Sequence, residues 1–170
     1  MKHALAILLL SAGLAHANGK PSELQGVVNA DEPVGCAAFT FLFWDLYDGE
    51  LWTDAPIPPG DVHALALTYK SDFTAEELVE STIEEMSRIS GRNAADLGDA
   101  KAELDAIFPS VIEGDRLTAA RLSADRLIFF YNGKDVGTQT IDVDLLMSIW
   151  LGPDSRDQDG RAALLGGGCG

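Results

Sequence analysis

Few side chains in this sequence carry the chemistry that catalysis usually draws on. The histidines are His3, His16 and His63, and the cysteines are Cys36 and Cys169. A Ser-His-Asp or Cys-His arrangement needs an imidazole base. Only His63 lies beyond the first 17 residues, at the start of an alternating stretch behind a proline-rich loop, where a surface imidazole is the default expectation. Zinc needs several nitrogen or sulfur ligands close together, which one histidine and two distant cysteines do not supply. Asp154–Gly160 echoes a calcium loop. However, Ser155 stands where its first aspartate belongs, and Gly166 where its bidentate glutamate belongs. The 27 acidic residues form many pairs, none marked out by an apolar surround. There is no G-x-S-x-G, no phosphate-binding loop and no dinucleotide fingerprint. No catalytic residue, metal site or cofactor is therefore assigned.

What remains is aromatic. Phe39, Phe41, Phe43, Trp44, Tyr47 and Trp52 crowd one stretch, and Phe129, Phe130, Tyr131 and Trp150 another. Alternate residues of a strand share a face. Phe41, Phe43, Tyr47, Leu67 and Tyr69 are on that basis the ligand-binding candidates. A mostly apolar cleft remains if helices cover that face incompletely. The competing reading is ordinary core, which aromatics fill in most proteins. Arg88 and Arg116 are the nearest candidate partners for an anionic ligand.

The elements that would position these residues are legible in outline. Leu24–Val28 is a short strand candidate. Residues 34–51 read as a long bent strand or a pair of strands, with Asp48-Gly49 a turn candidate. The prolines of 55–60 make a loop, and 63–71 alternates with period two. Thr74 and Glu77 form a capping box, and an apolar stripe at helical spacing follows until Gly91. A second helix is expected over about 95–108, ended by Pro109. Strands follow at 116–122, 127–131 and 136–140, the last two joined at Asn132-Gly133, the residues best suited to a two-residue hairpin. A helix capped by Asp142 or Asp144 runs to Leu151, and a short one lies near 160–165 before a glycine-rich tail, which is expected to be flexible.

Residues 1–17 read as a secretory signal peptide: a short basic start, an apolar run at 4–15 too short to span a membrane, and a small-x-small site at Ala15–Ala17. Cleavage there leaves residues 18–170 as one domain. Losing Lys2 makes that chain one unit more negative than the formal −15 of the whole. So acidic a surface disfavours nucleic acid and anionic lipid. No transmembrane segment is expected in the mature chain. In an oxidising compartment Cys36 and Cys169 are a candidate disulfide, two unpaired thiols being the alternative.

The order of these elements, together with VIEGDRLT (111–118), FYNGKDVG (130–137) and SIWLGPDS (148–155), resembles the bacterial exported chalcone isomerase-like proteins over about residues 26–166. The resemblance implies an α+β fold, a long antiparallel sheet with a layer of helices on one face, and a periplasmic or secreted location. In the plant enzymes of that family the cleft between sheet and helices closes a flavanone ring. Fatty-acid-binding relatives use a similar cleft for an acyl chain. Both employ an arginine near the aromatic strand, and this sequence has none between Asn18 and Ser87. The family's strand threonine falls near Phe41 or Leu42, with Thr40 close by.

Three functional readings follow. The first is a non-catalytic exported protein holding a small apolar ligand, such as a fatty acid. The second is an isomerase or intramolecular lyase using Tyr47, Tyr69 or Thr40. The third is an envelope protein whose acidic surface meets a basic partner.

Overall fold

The Asn132-Gly133 corner folds as its chemistry demands. In the computed structural model, which describes residues 19–57, 60 and 62–169, Asn132 has φ 48° and Gly133 φ 84°. These left-handed values close a two-residue hairpin between β5 (Arg126–Tyr131) and β6 (Lys134–Gln139). The expected signal peptide, residues 1–17, lies outside the described residues.

Among the described residues, six strands form one antiparallel sheet in sequence order, β1 (Gly35–Phe41), β2 (Trp44–Trp52), β3 (His63–Tyr69), β4 (Arg116–Ser123), then β5 and β6. Helices α1 (Ala75–Ser90) and α2 (Gly98–Ile107) lie between β3 and β4, while α3 (Val143–Leu151) and α4 (Gln158–Leu164) follow β6. The α+β fold with a helix layer on one sheet face is as expected. No helix among the described residues is long and apolar enough to cross a membrane.

Helix α1 begins with the capping box, since Thr74 Oγ1 accepts from Glu77 N at 3.2 Å and Glu77 accepts from Thr74 N at 2.8 Å. Its stripe Leu78, Val79, Ile83 and Met86 is buried against the sheet. Asp142 does stand at the start of α3, but its carboxylate pairs with Arg92 at 2.8 Å instead of capping the helix.

Several local expectations are corrected. Asp48-Gly49 is not a turn. It lies inside β2, where a Cβ at Gly49 would come within 3.0 Å of the Phe39 ring. Here the glycine makes room for an aromatic neighbour. The chain turns instead at Leu42-Phe43, between paired Phe41 and Trp44. Leu24–Val28 is not a strand: a 3-10 turn covers Ser22–Leu24, and a single bridge joins Gln25 to Val28. His63 is buried, and its Nδ1–H donates to Gly60 O at 2.7 Å. The glycine tail runs beside β1, with Cys36 N donating to Gly168 O at 3.3 Å. A Cys36–Cys169 disulfide with a Cα separation of 5.0 Å closes that contact.

The sheet has two cores. Leu65, Leu67, Leu117, Leu127 and Phe129 point toward the helices. On the other face, Trp52, Ala64, Ala66 and Ala120 meet Leu24 and Val28 from the N-terminal segment. That segment is anchored by Glu23, whose side chain is only 1% exposed. Arg116 donates to both its oxygens at 3.0 Å, and Thr118 donates at 2.9 Å.

Burial alone would raise the Glu23 pKa, but the hydrogen bonds from Arg116 and Thr118 outweigh it and hold the carboxyl below its ordinary value. A lowered folded pKa stabilises the fold above the unfolded value, and that stability is lost as pH falls through the folded one. Glu23→Gln is expected to cost about 1–3 kcal/mol near pH 7, because it weakens a buried charge-assisted cluster. The difference should shrink as pH falls below the ordinary carboxylate range, where the native carboxylate protonates as well. Urea denaturation across pH measures both, and equal stability of the two proteins at pH 7 would refute the anchoring role.

Candidate functional site

Tyr47 on β2 and Tyr69 on β3 are cross-strand partners, so both rings stand on the helix side of the sheet. Their centroids lie 5.6 Å apart in an edge contact, Phe39 stacks on Tyr47 at 5.1 Å, and Phe73 meets Tyr69 at 5.9 Å. Between this aromatic row and the helices is a cavity of about 80 Å3. Its floor is Leu65, Leu67, Leu117, Ala119 and Phe129 with the two tyrosines, and its roof is drawn from α1, α3 and Phe108.

The expected site residues divide. Tyr47, Leu67 and Tyr69 line the cavity. Phe41 and Phe43 do not. Phe43 is in the β1–β2 turn, and Phe41 lies beyond the helix layer, since α4 meets β1 at Gly35 and Phe39. Phe41 lines a separate open hollow of about 540 Å3 with Trp44, Leu46 and Phe73. Thr40 is exposed and opposite Asp45. Strand alternation could not reveal the roof residues Leu78, Ser81, Thr82, Leu146 and Trp150. The α1 stripe held a partial signal, because Ser81 and Thr82 follow Leu78 on that helix.

Polar atoms in the cavity are few and mostly committed. Trp150 Nε1 donates to the Tyr47 hydroxyl at 3.0 Å. Ser81 and Thr82 donate to Leu78 O at 3.1 and 2.7 Å within their own helix. The Tyr69 ring is buried, and among the described residues its hydroxyl has no hydrogen-bond partner. Burial pushes the Tyr47 phenol up to about 12 and Tyr69 higher still, so both are neutral donors at ordinary pH.

Among the described residues, no cation lines the cavity. Arg88 donates to Glu85 at 2.8 Å and to Asp154 O at 2.8 Å, and Arg156 pairs with the same Glu85. Arg116 is held by Glu23 at the other face. In the acidic loop, Asp157 caps α4 by accepting from Gly160 N at 2.7 Å.

These assignments separate the two tyrosines. Tyr47→Phe strips the acceptor from a partly buried indole N–H and is expected to destabilise the fold by about 1–2 kcal/mol. Tyr69→Phe breaks no internal hydrogen bond and should be close to neutral. Denaturant midpoints of the two variants give the comparison, and an equal loss in both would show that the Tyr69 hydroxyl is bonded within the fold.

A family model described as chalcone isomerase-like matches residues 42–166. No curated protein matches the sequence significantly. Among solved structures, the crystal structure of a fatty-acid binding protein from Arabidopsis thaliana superposes with a TM-score of 0.55 at 12% identity, covering 82% of this chain and 89% of that one. At that identity the likeness is one of fold.

Proposed function

The chain belongs to the chalcone isomerase-like family, and within that family we propose that it is a non-catalytic binder of a small, uncharged apolar ligand. The observation that carries this reading is the cavity under α1 and α3, whose lining is mostly apolar and includes Tyr69, a residue whose hydroxyl has no hydrogen-bond partner among the described residues. A fold shared with a fatty-acid binding protein supports it. The cavity holds no group that would serve as a base near neutral pH: both phenols are held above their ordinary range, and the remaining hydroxyls are bonded to their own helix.

The missing cation decides between acid and ester. Burying a carboxylate with only neutral donors costs several kcal/mol more than burying the matching ester. A ligand carbonyl, by contrast, is matched by the Tyr69 hydroxyl. At about 80 Å3 the cavity has room for two or three water-sized groups. It therefore takes a head group or a short chain, and a longer ligand extends past Phe73 toward the open hollow.

Titration with a neutral fluorescent probe, displaced by fatty methyl esters or by the free acids at pH 8, tests this. Saturable binding is expected, with esters displacing more strongly than acids. Ala119→Phe fills the cavity and should abolish binding in a protein that still melts cooperatively. Tyr69→Phe should weaken ester binding about fivefold, the loss of one neutral hydrogen bond. No saturable binding, or binding indifferent to Ala119→Phe, would overturn the reading.

We propose in addition that the protein is exported. The signal-like residues 1–17 motivate this, and a disulfide tying β1 to the chain end suits an oxidising compartment. Expressed in a bacterium with its own leader, the chain should be recovered from the periplasm or medium beginning at Asn18. Recovery from the cytoplasm with Met1 in place would contradict it.

A further inference from the structure

The β1–β2 turn is where the molecule departs furthest from ordinary burial. Phe41, Leu42, Phe43 and Trp44 are 60%, 78%, 100% and 69% exposed. A single exposed leucine needs no explanation, but four consecutive large apolar residues at one hairpin tip form a patch of the kind that marks interaction sites. The turn carries a further oddity. Leu42 has φ 56°, a region that bulky residues rarely enter and that asparagine or glycine would occupy with less strain. Strain kept in an exposed turn points to a role for the side chain that causes it. Ile112 is 62% exposed and belongs to the same end of the molecule, because its neighbour Val111 pairs with Phe73. The Phe73 ring lines the hollow behind the tip.

We propose that this hairpin tip docks into the interfacial region of an uncharged phospholipid surface. Three observations favour that occupant. First, Phe43 stands wholly clear of the fold, a shape that suits a fluid medium that closes around it. Second, the order along the turn matches interfacial anchoring, with Phe43 at the tip and Trp44 where the hairpin meets the polar body. Third, the collar is acidic. Asp45 and Asp48 follow the tip on β2, Asp72 lines the hollow, and Glu113 lies beside it with its N–H bonded to Asp72. The nearby cation Lys70 is paired with Asp48 at 2.9 Å. Such a collar repels anionic lipid, and it repels a second copy of a chain that carries a formal charge of −15. Zwitterionic headgroups carry no net charge to oppose it.

Docked this way, the hollow opens onto the bilayer, and Phe73, in edge contact with Tyr69, separates it from the cavity. The site where an apolar ligand leaves the membrane then adjoins the site that holds it. This last step rests on the ligand-binding reading, whereas the docking itself does not.

The test uses the protein purified after expression with its own leader, mixed with phosphatidylcholine vesicles. Cosedimentation is expected, with tryptophan fluorescence quenched by lipids brominated near the headgroup end of the chains. Phe43→Asp should weaken partitioning at least tenfold with no change in melting temperature or in neutral-probe binding. Ala119→Phe should keep vesicle binding while losing the probe, so failure of the ligand reading leaves this result intact. Absence of cosedimentation, or equal partitioning of Phe43→Asp, would overturn the proposal. So would a dimer in sedimentation equilibrium that Phe43→Asp dissociates, since the tip would then meet a second copy.

Discussion

An antiparallel sheet of six strands presents two faces to be covered, and this chain covers them by different means. Four helices take one face and leave a small apolar cavity beneath α1 and α3. The other face is closed in part by the segment around Leu24 and Val28. Two carboxylates fasten that segment: Glu23 through a bidentate pair with Arg116 and a third bond from Thr118, and Asp54 by accepting from Asn29 N and Ala30 N. Arg116 and Thr118 occupy the first and third positions of β4, so the strand that carries Leu117 and Ala119 into the cavity floor also carries a clamp for the opposite face.

Two of the three stretches that carry the family resemblance prove to be framework. Asp115 accepts from the Tyr131 hydroxyl at 2.7 Å, from Asn132 Nδ2 at 2.9 Å and from Ile112 N at 2.9 Å. The Asn132 side chain in turn accepts from Arg116 N at 2.8 Å. The EGDRLT and FYNG stretches are thus two halves of one hydrogen-bonded corner. Its backbone reaches the site directly, because Tyr69 N donates to Asp115 O and Gly114 N donates to Tyr69 O, both at 2.8 Å. The corner sets the end of β3 and with it the position of the Tyr69 ring. Of the three stretches only SIWLGPDS reaches the cavity, through Trp150.

Legibility tracked how local the physics was. The Asn132-Gly133 turn and the Thr74–Glu77 box were readable because each depends on residues adjacent in sequence. The Leu42-Phe43 turn was not, since neither residue carries turn chemistry, and the nearby Asp48-Gly49 offered a stronger but false signal. The use of Gly49 became visible only with Phe39 folded against it. Alternation along β2 and β3 puts Tyr47, Leu67 and Tyr69 on the sheet face that lines the cavity. Phe41 lies beyond the helix layer and Phe43 in the β1–β2 turn, where strand alternation no longer places a side chain. Trp150 and Thr82 are more than 60 residues apart and meet the floor only through tertiary packing. No local pattern could have assigned them.

The cavity's size and the hairpin's exposure are two consequences of where the helix layer ends. Over the centre of the sheet, α1 and α3 close down far enough to leave only about 80 Å3, well below the several hundred usual for a drug-sized ligand. Beyond Phe39, the equally apolar Phe41, Leu42, Phe43 and Trp44 are exposed. Leaving a large apolar side chain in water forgoes about 1.5–3 kcal/mol of burial. Phe73 stands at the boundary, lining the open hollow while its ring meets Tyr69 on the closed side. The aromatic residues are therefore divided between the lining of a small cavity and an exposed hairpin edge.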